Sequence, residues 1–359
     1  MTPRIYQLYI IKNYLKTVLI ITFVFFSAIF VLNIFEEISY FKESDKKIIF
    51  PIILTFLNAP SILYEIFPFI FLISTQFFFI RVFDKDELNV FKNFGITNYK
   101  IIKTITFTSL LLGIFIVTIF YNLSSKFKYI YFDLKSGQSK DNKYLAVITN
   151  NGLWIRDMID DRINIINASK IDKNFLIDTI ISEFDNNFNP IRNIRSEKIN
   201  IESKNWYIYE PRIFDNKSSS KQEFLNFKSN FDYQKIQNLY SNLSSLSLAE
   251  LYELRKNYKL LNYSTTETDM QIHKILSYPI YLMLMTILSG IIMFNTKNFK
   301  NTTIKLAIGL FLSVIIYYIN NFFYVIGNTE KLSLVASIWL PLMFLGLINI
   351  ITLRKINAK

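Results

Sequence analysis

The chain has 359 residues, of which 51% are hydrophobic and 17% aromatic, and its formal charge is +12. The absence of cysteine excludes a disulfide framework, a cysteine-ligated zinc site, an iron–sulfur cluster and a thiol nucleophile, and the single histidine disfavours a histidine-rich metal site. A basic soluble protein would suggest nucleic-acid binding, but the apolar content exceeds what one soluble core requires. We therefore predict a membrane protein with no metal, no other cofactor and no nucleic-acid partner.

Six apolar segments have about the 20 residues that a helix needs to cross a bilayer. Five of them contain no charged residue, and the second carries one acid, Glu65, near its start. The first is too long for a signal peptide and lacks a small-x-small cleavage site, which predicts an uncleaved anchor. The apolar residues 48–57 before Pro60 are too few to cross separately and are predicted to form an interfacial helix. The six predicted spans are residues 17–35, 61–80, 104–125, 275–296, 306–329 and 332–353.

The basic residues are distributed unequally between the two sides of these spans. The side that includes both termini carries 14 of the 40 Lys and Arg but only three of the 28 Asp and Glu, which gives it a charge of +11. Cytoplasmic loops retain an excess of Lys and Arg. The distribution predicts that both termini are cytoplasmic and that the large insertion lies in the periplasm.

Residues 126–274, between the third and fourth spans, have the composition of a soluble domain. Asn150-Asn151-Gly152 predicts a hairpin turn between strands at 144–149 and 153–157. Alternating apolar residues and turns every 10 to 15 residues favour an antiparallel sandwich, a jelly roll or an open barrel. The other predicted strands are residues 162–171, 175–184, 191–201, 206–214 and 223–231.

A short helix, residues 247–258, is predicted to link the strands to the fourth span, because Ser247 and Glu250 have the spacing of a capping box. The predicted fold is therefore an α-helical membrane protein of six transmembrane helices with an inserted all-β, jelly-roll-like periplasmic domain. Its predicted divisions are 1–125 with spans one to three, 126–245 with the β-domain, 246–274 with the connecting helix and linker, and 275–359 with spans four to six.

A further short helix is predicted in the cytoplasmic segment 84–95. Asp86 can cap it and Gly95 can end it. The pattern predicts that apolar and acidic groups face the cytoplasm, either as a solvated connector or as a coupling helix that docks into a groove on a partner. Its apolar residues recur at intervals of three: Leu88, Phe91 and Phe94.

Several short motifs occur in a fixed order along the chain. They are the Pro60 to Pro68 entry into span two with Phe67-Pro68, Glu87-Leu88 with Gly95, Gly152-Leu-Trp-Ile-Arg156, the link at 248–251, Tyr278-Pro279 and Trp339-Leu-Pro341. In this order the chain resembles, over essentially its whole length, the LptF/LptG permease subunits of the ABC transporter that extracts lipopolysaccharide from the inner membrane of Gram-negative bacteria. Its strand and link sequences look more like LptG.

The resemblance implies that spans one, two and five line a cavity shared with a homologous subunit, and that the β-domain receives acyl chains. It also implies that residues 84–95 contact an ATPase, with Glu87 as the coupling acid. The chain lacks the Gly-x-x-x-x-Gly-Lys-Ser/Thr loop that holds ATP phosphates, so it is predicted to be a transport subunit and not an enzyme. The implied coupling residues are Asp86, Glu87, Leu88, Phe91 and Gly95. The implied partners are an LptB-like ATPase dimer, an LptF-like permease, an LptC-like single-span protein, an LptA-like bridge and lipopolysaccharide.

The implied substrate has phosphates at the membrane interface and several acyl chains. LptG-like chains often have a basic residue near the end of span one, but the matching position here is Asn33, so the phosphate contact either falls to Lys42 or is lost. Lys42 can equally be an ordinary solvated loop residue. The candidate substrate-binding residues are Asn33, Lys42, Phe67, Pro68, Ile155 and Tyr317.

A second hypothesis is a mechanotransmitting or sensor-type membrane protein whose periplasmic β-domain binds a ligand. Such proteins tend to have four spans, whereas six spans divided around a β-domain favour transport. A membrane enzyme is disfavoured because the chain has no His-Glu-x-x-His motif, no cysteine and no pair of carboxylates within a span.

Overall fold

A computed structural model describes the chain at residues 5–42, 48–136, 153–159, 162–172, 174–185, 188–215, 218–233, 236, 242–260, 264–297, 299 and 301–357. The chain divides into two compact units. The helical unit comprises Met1–Tyr131, Leu243–Leu251 and Thr266–Lys359. The β unit comprises Phe132–Asn242 and Tyr252–Thr265.

The described residues contain six helical segments that are long and apolar enough to cross a membrane, which confirms the predicted number of spans. The third consists of α4, a π-helical turn at Ile116–Phe120 and α5. The helices are α1 (Ile5–Tyr40), α2 (Ile49–Asp84), α3 (Glu87–Asn93), α4 (Asn98–Phe115), α5 (Tyr121–Ser136), α6 (Leu248–Leu260), α7 (Thr266–Asn295), α8 (Thr302–Asn328) and α9 (Leu334–Asn357).

Helix α2 corrects the prediction of a separate interfacial helix at residues 48–57. It runs without interruption through Pro60 and Pro68. Proline removes a backbone donor, but helices in membranes tolerate it because Ser and Thr side chains and neighbouring helices bond the freed carbonyls. The Tyr64 carbonyl, which Pro68 leaves without its helical donor, accepts a hydrogen bond from the Tyr278 hydroxyl of α7. The apolar run before Pro60 is therefore the first part of the second span.

The third span also extends beyond its predicted end. Its helix continues from the π-turn through Ser136, although the charge-free run ends at residue 125. Charged residues in α5 do not stop the helix, because Lys, Asp and Ser are tolerated where a helix leaves the apolar layer. The helical part of the insertion is thus longer than hydropathy predicts.

Four helices meet at a buried cluster of hydroxyls in the helical unit. The Tyr14 hydroxyl lies 2.8 Å from Ser109 Oγ and 3.4 Å from Thr75 Oγ1. Thr286 donates to Ser109 at 2.9 Å. Because each hydroxyl both donates and accepts, the cluster satisfies these polar groups away from water. It joins α1, α2, α4 and α7.

The β unit contains eight described strands in one antiparallel sheet. Three predicted strands are found within one residue of their predicted ends: β2, β3 and β4. The predicted turn at 150–152 and its first strand lie outside the described residues. The strands are β1 (Leu153–Ile159), β2 (Arg162–Asp172), β3 (Phe175–Phe184), β4 (Pro190–Asn200), β5 (Asn205–Tyr209), β6 (Arg212–Asp215), β7 (Ser218–Lys221) and β8 (Phe224–Lys228).

The strand predicted at 206–214 is wrong, because it is two strands, β5 and β6. Glu210 has a φ of 43°, and Pro211 follows it. A left-handed residue followed by proline interrupts a strand, since proline cannot donate to the ladder. Strand β4 consequently pairs with β5 at one end and with β6 at the other.

The described strands pair in the order β1-β2-β3-β4-β5-β8, so consecutive strands are neighbours from β1 to β5. One face of the sheet is buried and apolar, and it includes Ile155, Ile166 and Ile181. Asp157, on the same face of β1, accepts hydrogen bonds from Ser229 and Asn230, which follow β8. The first strand therefore contacts the chain after the last strand, as in a curled sheet. The jelly roll stays a prediction.

Within the helical unit, the third span is hydrogen-bonded to the segment at the start of α6. The Tyr121 hydroxyl at the start of α5 donates to the Leu246 carbonyl at 2.9 Å. Asn122 accepts from the backbone nitrogen of Leu248, the first residue of α6. Glu250 accepts from the Ser247 backbone at 2.7 Å, and Ser247 Oγ accepts from the Glu250 backbone at 3.4 Å. These bonds form the predicted capping box.

Candidate functional site

Helix α3 has a well-defined end at Gly95. Gly95, at a φ of 69°, donates its backbone hydrogen to Lys92, and the next residue, Ile96, donates to Phe91. These two bonds are a Schellman motif, in which glycine takes the left-handed conformation without a Cβ clash. Ile96 and Phe91 are both buried, as the motif's usual apolar contact requires. The predicted end of the helix at Gly95 is confirmed.

Asp86 occupies the predicted N-cap position of α3, but the predicted side-chain cap is absent. Asp86 has a φ of 57°, and its side chain makes no capping hydrogen bond to the first turn. An N-cap needs an extended backbone for its side chain to reach the free backbone hydrogens. The Asp86 carboxylate instead accepts from the Asn89 side chain at 2.6 Å.

Two of the three residues on the predicted apolar face of α3 do not point outward. Leu88 is 2% exposed and Phe91 is 8% exposed, so both pack against the helical unit. The outward residues are Val90, at 51% exposure, and Phe94, at 80%. A seven-residue helix is too short to be stable alone, and burial of Leu88 and Phe91 holds it in place. The exposed pair is what a partner would meet.

Glu87 is attached to the first helix by a contact that the sequence did not predict. The Tyr9 hydroxyl donates to Glu87 Oε1 at 2.9 Å. The Tyr9 ring also contacts Phe91 edge to face, with 6.3 Å between the ring centroids. The candidate coupling acid is therefore half-buried and oriented by α1. The roles predicted for residues 84–95 stay predictions.

At the opposite end of the helical unit, a cavity of about 160 Å³ lies among α2, α5, α7, α8 and α9. The Tyr64 ring stacks on Tyr278 at a centroid distance of 4.5 Å, and the Tyr278 hydroxyl donates to the Tyr64 carbonyl. The buried Tyr64 hydroxyl has no hydrogen-bond partner among the described residues. Glu65 and Lys274 add one carboxylate and one ammonium. The cavity can thus hold a group that bonds to hydroxyl and charged groups.

Two of the predicted substrate-binding residues, Pro68 and Tyr317, line this cavity. Tyr317 is 45% exposed, and its ring lies 5.8 Å from that of Phe69. Phe67 points elsewhere: it is 5% exposed and packs edge to face on Phe120, with 5.3 Å between centroids. The structure therefore brings Pro68 and Tyr317 together and places Phe67 in the core.

The C-terminal part of α1 buries two polar residues, Asn33 and Glu37. Asn33 is 4% exposed, and its Oδ1 has no partner among the described residues. Glu37 is 1% exposed and accepts from the Tyr131 hydroxyl at 2.7 Å. Sequence reasoning missed this buried acid, although the spacing of four residues from Ile29 through Asn33 to Glu37 marks one helical face. Lys42 follows the end of α1 and is exposed.

In the β unit, Ile155 is 1% exposed and lies on the buried face of the sheet. The adjacent Trp154 is 51% exposed, as expected for the opposite face of a strand. Ile155 is thus an inward position, and its predicted contact with substrate stays a prediction.

These features define a multi-pass membrane protein of two three-span halves, with a β-rich insertion after the third span and a short helix between the second and third. The model of the family described as lipopolysaccharide export system permease LptF/LptG matches residues 8–355. The chain belongs to this family, as the resemblance predicted. The comparison with curated proteins found no match. The chain is therefore a permease of lipopolysaccharide export in the inner membrane, and its closer likeness to LptG stays a prediction.

Proposed function

We propose that this chain is the transmembrane subunit of a lipopolysaccharide exporter that is energised by a separate cytoplasmic ATPase. The family supplies the substrate, and the sequence has no phosphate-binding loop of its own. The observation that carries the proposal is helix α3, which exposes two apolar residues beside a half-buried acid. The family's role in transport favours this function over the sensor hypothesis.

The proposed orientation places α3 and both termini in the cytoplasm and the β unit in the periplasm. It rests on the charge of +11 on the side that includes α3. Cytoplasmic loops of membrane proteins carry such an excess of Lys and Arg. In this orientation α3 faces the compartment where ATP is hydrolysed. The proposed partners are an LptB-like ATPase dimer, an LptF-like permease, an LptC-like single-span protein and an LptA-like bridge.

The proposed contact with the ATPase consists of Val90, Phe94 and the free side of Glu87. Leu88 and Phe91 support the contact from within the protein, because both are buried. A helix that buries apolar residues against its own protein and exposes others on its opposite side can bind a groove on a partner. Gly95 fixes the end of the helix through its left-handed backbone.

The test of the coupling role is Glu87→Ala, with Asp84→Ala as the matched control, since Asp84 is an exposed acid at the end of α2. We expect Glu87→Ala to weaken capture of the ATPase about tenfold and to separate ATP hydrolysis from lipid release, because a charge-assisted contact is lost. Asp84→Ala should leave both intact. Capture and release at wild-type level in Glu87→Ala would remove the coupling role from this residue.

The buried face of the β unit is the proposed path for the acyl chains. Its inward residues, such as Ile155, form an apolar surface. The transfer of a lipid chain from water to such a surface is favourable. A photo-crosslinking residue at Ile155 should capture lipopolysaccharide only while ATP is hydrolysed. The same residue at the outward Trp154 should capture little. Equal capture at both positions, or capture without ATP, would contradict this path.

Lys42 is the proposed contact for lipid phosphate at the outer end of α1, because Asn33 is buried and uncharged whereas Lys42 is exposed. Lys42→Glu should reduce photo-crosslinking of lipopolysaccharide near span one several-fold. Lys331→Glu is the matched control, since Lys331 is an exposed lysine between α8 and α9. If Lys331→Glu reduces crosslinking equally, the effect is general surface charge and Lys42 is a plain loop residue.

A further inference from the structure

A polar cavity of about 620 Å³ opens on the exposed face of the sheet. It lies where the pairing partner of β4 changes from β5 to β6. Glu210 and Pro211 separate the two partner strands at this point. Ser196 of β4 donates its hydroxyl to the Tyr209 carbonyl, at the end of β5, at 2.6 Å. The cavity is lined by four basic residues, three acidic residues, one serine and one tyrosine.

Three of the basic residues stand side by side across neighbouring strands. Arg195 of β4 is directly opposite Arg212 of β6, and Arg212 is directly opposite Lys221 of β7. Residues in direct register point to the same face, and like charges in such pairs are destabilising. The sheet therefore keeps an arrangement that lowers its stability unless an anion lies against it.

Neighbouring groups neutralise only part of this row. Lys221 donates to Glu210 at 2.8 Å, and this hydrogen bond lowers the pKa of the Glu210 carboxyl, so that it is charged at neutral pH. The positive charge of Arg212 also lowers the pKa of Glu210. Within the described residues, no carboxylate forms an ion pair or hydrogen bond with Arg195 or Arg212. Two exposed guanidinium groups thus lie opposite each other without a carboxylate partner among the described residues.

We propose that Arg195 and Arg212 bind the phosphate or carboxylate group of an anionic saccharide. Guanidinium groups bind such oxyanions through paired hydrogen bonds. Asp178 and Glu197, in the same cavity, can accept hydrogen bonds from sugar hydroxyls. The ring of Tyr209, 42% exposed, supplies an apolar surface for the face of a sugar. A bare anion would use the arginines alone, whereas this set of groups fits a sugar that carries the anion.

This inference deepens the proposed function and rests on its substrate class. The exposed face of the sheet would bind the charged saccharide, and the opposite face, which includes Ile155, would bind the apolar chains. The two chemical halves of one amphiphile would then be recognised by the two faces of the same strands.

The test uses the full chain in nanodiscs of zwitterionic lipid without any ATPase, and a doubly phosphorylated glucosamine disaccharide without acyl chains as the probe. Titration calorimetry should show saturable binding to the wild type. Arg195→Gln and Arg212→Gln should each raise the Kd about tenfold, since each removes one charge-assisted contact. Lys204→Gln, an exposed lysine of the β unit outside the cavity, should bind like the wild type. Equal binding by all four proteins would overturn the proposal, as would an equal loss in the Lys204 variant.

Two further arms identify the source of the anion. Inorganic phosphate should bind at least tenfold more weakly than the probe, and the disaccharide without phosphate should not bind measurably. Phosphate binding as tight as the probe would overturn the saccharide assignment. Arg212→Gln should unfold at no lower temperature than the wild type, because it relieves repulsion, so a loss of binding is not a loss of fold. Glu87→Ala should bind the probe normally, which keeps this result independent of the coupling proposal.

Discussion

Two pairs of spans differ in how much of their surface the chain itself covers. In α2 and α7 about two thirds of the apolar stretch is buried (67% in each), whereas in α1 and α8 it is 17%. Mean hydropathy does not explain this, because α1 has the highest value, 2.7, and α2, α7 and α8 share a value of 1.9. The most apolar span is thus among the least covered. Hydropathy predicts which segments enter the membrane. It does not predict which of these segments form the packed interior of the protein.

Both buried spans, α2 and α7, make polar contacts with other helices. Gln76 of α2 donates to the Lys305 carbonyl of α8 at 2.8 Å. Ser289 of α7 donates to the Leu72 carbonyl of α2 at 2.7 Å. Lipid offers no hydrophobic drive to bring apolar helices together, so close packing and hydrogen bonds select the contacts. The exposed faces of α1 and α8 remain suited to lipid or to another apolar helix.

Leu72→Ala and Leu19→Ala test this difference most strongly. Leu72 is fully buried in α2, and Leu19 is 69% exposed in α1. Leu72→Ala should lower the free energy of unfolding by about 2–5 kcal/mol, because it leaves a cavity, and Leu19→Ala by about 0.5 kcal/mol or less. Denaturant unfolding of the chain in detergent micelles measures both. Equal losses would show that α1 and α2 are covered alike.

A second pair, Gly113→Ala and Gly346→Ala, tests close packing. A Cβ on Gly113 of α4 would lie 2.8 Å from the Pro279 Cα of α7, a backbone atom that cannot rotate away. On Gly346 of α9 the nearest atom is a Leu284 methyl group at 3.8 Å, an ordinary contact. The Gly113 variant should lose about 1–3 kcal/mol from overpacking, and the Gly346 variant should stay within about 0.5 kcal/mol of the wild type. Thermal melting of both decides whether α4 and α7 touch at this point.

The smallest expected effect is that of Tyr14→Phe in the hydroxyl cluster. It removes one hydroxyl and leaves Ser109 and Thr286 bonded to each other at 2.9 Å, so the loss should be about 0.6–1.7 kcal/mol. Tyr318→Phe, at a position 65% exposed in α8, is the control and should change the stability very little. A loss as large in Tyr318→Phe would mean that exposed tyrosines contribute as much as the buried cluster.

The parts of the fold that could be predicted are those written in local patterns. Span number follows from apolar length, and β2, β3 and β4 follow from alternation within each strand. The break within residues 206–214 has a local signal, Pro211, because proline interrupts strands. The alternation of apolar residues alone does not reveal it. The strand pattern gives no direct sign that Glu210 takes a left-handed backbone.

The contacts at the candidate sites could be predicted much less. Tyr9 and Glu87 are 78 residues apart, and Glu37 and Tyr131 are 94 apart, so each pair depends on tertiary packing. Helix α3 has only seven residues, too few for periodicity to show which face is buried. The pairing of Arg195 with Arg212 depends on the register of β6, which was predicted as one strand with β5. Such register emerges only when the sheet is assembled.

The hydrogen bonds that join Tyr121 to Leu246 and Asn122 to Leu248 have an evolutionary consequence. They join the third span to the segment that follows the strands, so the two three-helix halves are held together next to the insertion. A module inserted between such neighbouring points can be exchanged, enlarged or shortened without rethreading its host.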